Sequence, residues 1–318
     1  MAELVSILIP TYNREHCIAE TLSSALAQTY SNIEIVLVDN ASTDATWDIV
    51  SEFAGRDARV RAFRNESNIG PVRNWLRCVE YAAGDYIKIL WSDDLIHSSF
   101  LAKTMPALQD ERVGFVYSSV RVFAGDSPEN GDFYYTVLGT GRHPTSIYLE
   151  GGLLGYDFPV SPGCALFRAH DVRECLLEQV PNRVGSDFSM HAIGNDLLLF
   201  LLIAARYPYF SVIADPLSYF RSHAGSITVS STPGRIPLHY DLAKAYFLSQ
   251  VSLDDRLCRR FNATLLLHRL RYNAAAARYN IHRLADFYPH GVEPTVDYVY
   301  LLRMLVKGLL RLLRKSRS

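Results

Sequence analysis

From residue 4 to about residue 122, short apolar runs alternate with stretches in which apolar residues recur every three or four positions. Leu4 to Ile9 is continuous and apolar, the pattern of a strand covered on both faces, and Pro10 ends it. Ile18, Leu22, Ala25 and Leu26 then fall on one helical stripe, with Asn13 placed to cap the helix. Ile33 to Val38 reads as a second strand and Val60 to Phe63 as a third, separated by a segment that turns Trp47, Val50 and Phe53 inward. Asn68-Ile-Gly-Pro71 leads into a helix with Pro71 in its first turn and Trp75, Leu76 and Val79 on its inner face. Tyr86 to Leu90 is a buried strand, and a helix begins near Ser98. This alternation predicts an α/β fold built on a mostly parallel, doubly wound, Rossmann-like sheet.

Ligands of such sheets bind beyond the carboxyl ends of the strands, where Tyr12, Asp39, Asn68, Asp93 and Asp94 are expected to gather. Two adjacent acids at a strand end repel each other and need a cation or a set of donors. A divalent ion carrying a diphosphate meets that need; a solvated Asp-Asp turn capping the next helix is the other reading. No glycine precedes Gly55, so the first turn is neither a Walker loop nor a Gly-x-Gly-x-x-Gly dinucleotide turn. In its place stand the Tyr12 ring, able to lie against a base, and the Asp39 carboxylate, able to accept from a base N–H or a ribose hydroxyl. Together they describe a nucleotide-diphosphate site, unless Tyr12 is a packed ring and Asp39 a helix cap.

Further along, Val113 to Val122 continues the sheet, and Gly125 to Pro144 is a long polar segment of the functional or mobile kind. In it, Tyr134 and Tyr135 either stack on a sugar face or cover the core. Ser161 to Arg168 reads as a turn into a strand. Leu197 to Ala205 reads as a buried helix, with Asp196 of Gly194-Asn195-Asp196 in its first turn. Burial raises such a carboxylate and the helix N-terminus lowers it, and the pattern does not decide between them. From Pro237 the chain is helical: one segment to about Val251, a second from Asp254 to about Asp286, and after Pro289 and Pro294 a last one from Val296 to about Leu313.

Four stretches carry a resemblance: Val5-Ser-Ile-Leu-Ile-Pro-Thr-Tyr-Asn-Arg14, Val38-Asp-Asn-Ala-Ser-Thr-Asp44, Asn68-Ile-Gly-Pro-Val-Arg-Asn74 and Trp91-Ser-Asp-Asp94. In order and spacing they resemble the family 2 glycosyltransferases of GT-A fold, enzymes that invert the configuration of a sugar taken from a nucleotide-diphospho-sugar. The resemblance implies that Pro10, Thr11, Tyr12, Arg14 and Asp39 hold base and ribose, with Asn68 or Arg73 beside the nucleotide. It makes Asp93 and Asp94 the last two positions of an Asp-x-Asp element whose first position is Ser92 here. Asp93 is then a nucleotide contact and Asp94 a ligand of Mn2+ or Mg2+, with Trp91 against donor or acceptor. Ser161 to Arg168 corresponds to the family segment beneath the donor sugar. Asp196 inherits the role of catalytic base, with Asn195 in place of an acceptor-contacting Glu; Asp187 is the competing candidate. Arg221-Ser-His-Ala-Gly-Ser226 resembles an Arg-x-His-x-x-Ser segment: Arg221 would pair with the diphosphate, His223 would add a metal or phosphate contact, and Ser226 would touch donor or acceptor. Residues 225–234 would form a lid.

On this reading residues 1–122 are the nucleotide-sugar-binding half of the GT-A domain, 123–236 the acceptor-binding and catalytic half, and 237–318 a helical C-terminal extension. Charge changes the picture mainly at the end of the chain. Residues 298–318 hold six of the 32 bases and no acid, which leaves 26 bases against 33 acids before them, a balance of −7. Such a body does not suit nucleic acid. The last helix sets Arg303, Lys307, Arg311 and Arg314 beside Leu301, Leu305, Leu309, Leu312 and Leu313, which fits the surface of an anionic bilayer, or else a helix docked on the body or a second subunit. Five scattered cysteines without a Cys-x-x-Cys pair fit a reducing compartment without structural zinc. Early entry into a strand leaves no room for a signal peptide, and no apolar run is long enough to span a membrane. The expectation is a cytoplasmic protein, peripheral on the inner face of the plasma membrane. It would use a UDP-, GDP- or dTDP-linked donor and a glycan or lipid-linked glycan acceptor in bacterial surface polysaccharide synthesis, with homo-oligomerisation open. The alternatives are a non-catalytic sugar-nucleotide-binding or scaffold homologue and a nucleotidyltransferase; the latter should carry a Gly-rich, basic first turn, which is absent.

Overall fold

The computed structural model describes residues 3–315 apart from 126, 224 and 227–230, with side chains as far as residue 309. Residues Met1–Gln179 and Asp187–Ser230 form one compact unit, and Val180–Ser186 with Ser231–Ser318 form the other.

The first unit is built on one sheet. Its strands are β1 (Val5–Thr11), β2 (Ile33–Asp39), β3 (Val60–Arg64), β4 (Tyr86–Ile89), β5 (Leu95–Ile96), β6 (Val113–Phe123), β7 (Asp132–Tyr134), β8 (Gly141–Pro144), β9 (Ala165–Arg168) and β10 (Tyr209–Arg221). The order across the sheet is β3-β2-β1-β4-β9-β6-β10-β5. β1, β2, β3 and β4 pair in parallel, as do β6 and β10, while β9 runs antiparallel between β4 and β6. Every residue of β1 and β2 is buried, which is why both strands read as mostly apolar runs; the polar Ser6 and Glu34 within them are hydrogen-bonded to each other. Helices α1 (Ile18–Leu26), α2 (Thr46–Arg56) and α3 (Pro71–Tyr81) follow β1, β2 and β3, and α4 (Phe100–Leu108) follows β5; Ile18, Leu22, Ala25 and Val50 pack into the same core as Ile7, Ile35 and Leu37. In the second half of the unit, α5 (Thr145–Leu154), α6 (Ala169–Cys175), α7 (Phe188–His191) and α8 (Asn195–Ala204) are added. Phe115, Tyr148, Phe167, Phe200 and Phe210 join α5 and α8 to β6, β9 and β10 in one aromatic cluster.

Three local expectations are corrected. Asn13 does not cap α1; it is left-handed at φ 50°, and its Oδ1 accepts from the Thr43 amide at 2.9 Å. A short polar side chain tolerates that conformation, and here it ties the β1 turn to the β2 turn. Residues 125–144 are not one open loop, because β7 and β8 pair with β6 and β10 and so satisfy much of the backbone. The helix expected over 254–286 is broken into Asp255–Arg271 and Asn273–Arg278, with a short 3-10 turn at Leu284–Phe287. Asn280, left-handed at φ 57°, reverses the chain after the alanine run. The second unit also contains Arg235–Gln250 and a last helix, Tyr298–Lys315.

Candidate active site

The turns after β1, β2 and β4 lie side by side because their strands are neighbours. Tyr12, just past β1, is 41% exposed, so its ring is available to a flat ligand. Pro10 and Thr11 are buried in the strand itself and present no side chain. Asp39 lies at the end of β2, but it is fully buried: its carboxylate accepts from the Ser42 amide and hydroxyl and pairs with Arg64 Nε at 3.1 Å. In this state it shapes the 39–44 turn and offers no open acceptor. Asn68 is exposed, its Oδ1 accepting from Asn40 Nδ2 and from the Gly70 amide, each at 3.0 Å. Asn40, Asn65 and Asn74 complete a ladder of amide side chains that holds this turn against β2. Arg73, on α3, pairs with Glu178 at 2.8 Å and reaches Met190.

The acidic pair follows β4. Asp93 Oδ2 lies 2.9 Å from His223 Nε2 and 3.5 Å from Arg14 Nε. The Gly225 amide donates to His223 Nδ1 at 3.2 Å, which makes Nδ1 the acceptor and Nε2 the protonated nitrogen, donating to Asp93. The resemblance gave His223 a metal or phosphate contact; here its Nε2 lies on Asp93, and a metal bond through Nε2 would displace that proton. Asp94 is 5% exposed, and its Oδ1 accepts from the Arg221 amide at 2.9 Å while Oδ2 takes no hydrogen bond among the described residues. Burial, and after it the neighbouring charge of Asp93, push Asp94 well above the usual carboxylate range, against the lowering effect of the Arg221 amide and of Lys88. Arg221 was expected to face a diphosphate, yet its guanidinium pairs with Glu20 and donates to the carbonyls of Asp93 and Gly125.

No three His, Cys, Asp or Glu side chains among the described residues gather around one point that could hold an ion. The donor set that remains, one carboxylate oxygen without a partner, suits a divalent ion that takes its other ligands from phosphate and water.

Trp91 Nε1 donates to Ser161 Oγ at 2.8 Å, and its ring packs at 4.7 Å against Trp75, tilted by 43°. A Cβ at Gly163 would lie 3.0 Å from Trp91, so glycine lets segment 161–164 pass directly under the indole. From the opposite side Lys88, wholly buried in β4, donates to the Gly163 and Ile89 carbonyls and lies 4.6 Å from the Phe100 ring centroid. Burial pulls its ammonium down to about 7, against the raising influence of Cys164 and Asp94. Sequence reasoning passed over Lys88. The signal was a lysine in the middle of a run otherwise read as buried.

Asp196 opens α8, where its Oδ1 accepts from the Gly194 amide at 3.1 Å and the Leu197 amide at 2.8 Å. Burial pushes the Cys164 thiol up to about 12, with Asp94 adding to it, and burial raises the Tyr135 phenol, with Cys164 and Asp196 adding to it. Tyr135 is anchored by Asp157, which accepts from its amide, whereas Tyr134 is 43% exposed. Asn195, expected to touch donor or acceptor, is 1% exposed and donates to the Leu177 and Glu178 carbonyls. Asp187, the rival base, caps α7; the Ser189 hydroxyl and the Gln179 amide hold it below the usual carboxylate range. The Ser226 amide donates to the His223 carbonyl, and residues 227–230 of the expected lid lie outside the described residues.

A parallel four-strand sheet extended through one antiparallel strand, with paired acids beyond β4, defines a GT-A glycosyltransferase fold. The chain belongs to Glycosyl transferase family 2, whose sequence profile matches residues 6–175. It is 32% identical over 139 residues to glycosyltransferase GlyG of Streptococcus pneumoniae, which covers 44% of this chain and 45% of GlyG. It is 38% identical over 117 residues to WfaP of Escherichia coli, a UDP-Glc:alpha-D-GlcNAc-diphosphoundecaprenol beta-1,3-glucosyltransferase, covering 37% of this chain and 46% of WfaP. The chain thus spans about half the length of the relatives it matches. The crystal structure of Staphylococcus aureus TarS 1–349 with UDP-GlcNAc superimposes with a TM-score of 0.63 at 18% identity, over 84% of this chain and 73% of that one, a likeness of fold.

Proposed function

We propose that the protein is an inverting glycosyltransferase that moves a sugar from a nucleotide-diphospho-sugar to a hydroxyl of a glycan or lipid-linked glycan. The observation that carries this reading is Asp94: a buried carboxylate with one oxygen fixed by a backbone amide and the other open, at the rim that also presents Tyr12. Tyr12 would stack on the base, and Asn68 and Arg73 would lie beside the nucleotide. Asp94 would hold Mg2+ or Mn2+ shared with the diphosphate, an ion that supplies charge stabilisation for the leaving group when bound. Asp93 would orient the turn through Arg14 and His223.

Asp196 would act as the base. Two backbone amides fix its carboxylate at the start of α8. As an acceptor hydroxyl oxygen bonds to the anomeric carbon, Asp196 takes its proton, and the bond to the diphosphate breaks on the opposite face with its electron pair leaving on phosphate oxygen. One displacement inverts the anomeric centre. The named substrates of WfaP favour a UDP-sugar and a polyprenyl-diphosphate-linked acceptor, hence surface polysaccharide synthesis at the inner face of a bacterial plasma membrane.

The test is a screen of UDP-, GDP-, dTDP- and CMP-sugars for thermal stabilisation and for nucleotide release, with manganese and with EDTA. Metal-dependent binding and turnover of one class is the expected result. Binding without turnover on any acceptor or water would favour the non-catalytic alternative, to which Ser92 and Asn195 in place of acids give some ground. Absence of binding would contradict the reading altogether.

A further inference from the structure

The last helix, Tyr298–Lys315, has three distinct faces. Tyr300, Leu301 and Met304 are half-buried, and the chain around them is fastened to helix Asp255–Arg271. The Asp297 amide donates to the Arg259 carbonyl at 3.1 Å, Asn262 Nδ2 donates to the Thr295 carbonyl at 2.8 Å, and the Arg260 guanidinium lies 5.4 Å from the Tyr300 ring centroid. On the side away from these anchors, Tyr298, Val299, Leu302, Leu305, Val306 and Leu309 are all exposed, Leu302 by 62% and Leu309 by 60%. At 3.6 residues per turn these six share an arc of about 120°. Arg303 and Lys307 are exposed along one edge of it, and no acid follows Asp297 to the end of the sequence.

We propose that this helix is a preformed attachment surface for an anionic lipid bilayer, already folded and fastened before it meets the membrane. A leucine and valine arc with a basic margin is the composition that lies in the headgroup boundary, apolar side down and cations toward lipid phosphate. The charge pattern selects this occupant over a second copy. An isologous pair would bring two such helices together, each with six bases and no acid in residues 298–318, and like charges would line the contact. No helix among the described residues is long and apolar enough to cross a membrane, so the attachment is to the surface. The anchors to helix Asp255–Arg271 separate this device from a segment that becomes helical only on lipid. The proposal does not depend on the transferase reaction, and its test reads binding alone.

The full chain is floated with vesicles of phosphatidylglycerol and phosphatidylethanolamine, and separately with phosphatidylcholine vesicles. Flotation with the anionic vesicles only, lost at high salt, is the expected result. The triple variant Leu302→Ser, Leu305→Ser, Leu309→Ser alters exposed positions, so its melting temperature stays near that of the parent while flotation is lost. Arg303→Gln and Lys307→Gln each lower the partition coefficient by about five-fold, the equivalent of about 1 kcal/mol per base at an anionic surface. The far-UV circular dichroism of the protein does not change on adding vesicles. Equal flotation of parent and triple variant would overturn the proposal, and so would a parent that ignores vesicles but forms a dimer that the triple variant dissolves. A gain in helicity on lipid would overturn its preformed character.

Discussion

The backbone amide of Arg221 donates to Asp94 Oδ1 at 2.9 Å, joining the end of β10 to the turn after β4 across 127 positions of sequence. An amide oxygen can accept that bond as well as a carboxylate can, so Asp94→Asn separates structure from charge. The variant is expected to keep its fold and melting temperature. It loses the anion that would hold a divalent cation, and transfer should fall by on the order of 10²-fold or more, with donor binding no longer responsive to manganese. Calorimetric titration with the nucleotide-sugar, with and without manganese, reads this directly.

His223 offers a second separation. It donates from Nε2 to Asp93 and accepts from Gly225 at Nδ1. A glutamine retains a donor and an acceptor but is a poor replacement for an imidazole metal ligand. His223→Gln is therefore expected to stay within about five-fold of parental activity, while His223→Ala, which strips Asp93 of that donor, loses more. A glutamine variant as impaired as the alanine one, with weakened manganese affinity, would return His223 to the metal.

The Tyr12 ring is 41% exposed and makes no side-chain hydrogen bond or ring contact among the described residues. Stacking of a base on an aromatic ring is worth about 1–3 kcal/mol, so Tyr12→Ala should weaken nucleotide binding by roughly 5- to 150-fold, and Tyr12→Phe should bind as the parent does. Fluorescence titration with nucleoside diphosphates checks both.

Lys88 makes stability depend on pH in a defined direction. Its ammonium, near 10.5 when unfolded, is pulled to about 7 in the fold by burial. Between these values the unfolded chain binds the extra proton, so the native state gains stability as pH rises through that window, and burial of the charge costs most below about pH 7. Lys88→Met lacks this dependence. The difference in unfolding free energy between parent and variant should shift in favour of the parent from pH 7 to 10, by about 1 kcal/mol per pH unit at its steepest. Parallel slopes in denaturant titrations at several pH values would count against a buried ammonium.

How far the sequence led is clear from these residues. The buried parallel strands were legible because every position of β1 and β2 is apolar or packed, and Gly70-Pro71 marked the start of α3 by backbone chemistry alone. The position of Asp93 and Asp94 followed from strand order. What stayed hidden were partners chosen across long separations: Arg64 on Asp39, Glu20 on Arg221, His223 on Asp93, the carbonyls of Leu177 and Glu178 on Asn195. Each of these side chains is of a type that binds ligands, and local pattern does not record whether the protein itself already occupies it. The direction in which the last helix docks was hidden for the same reason. Its leucines cover about half the circumference of the helix, and only packing on Asp255–Arg271 separates Leu301 from Leu302, Leu305 and Leu309.

Asp187, the rival candidate for the base, begins a helix as Asp196 does. Asp187 accepts from the Ser189 hydroxyl and amide and the Gln179 amide and is held below the ordinary carboxylate range, which makes it a poor proton acceptor. Asp187→Asn should lower the melting temperature slightly through a weakened cap and leave turnover close to parental.

The decisive measurement is sugar transfer by Asp196→Asn, made beside donor affinity for the same preparation. The account predicts turnover reduced by roughly 10²- to 10⁴-fold with donor affinity within a few-fold of the parent. Near-parental turnover in that variant would contradict the assignment of the base and the displacement built on it.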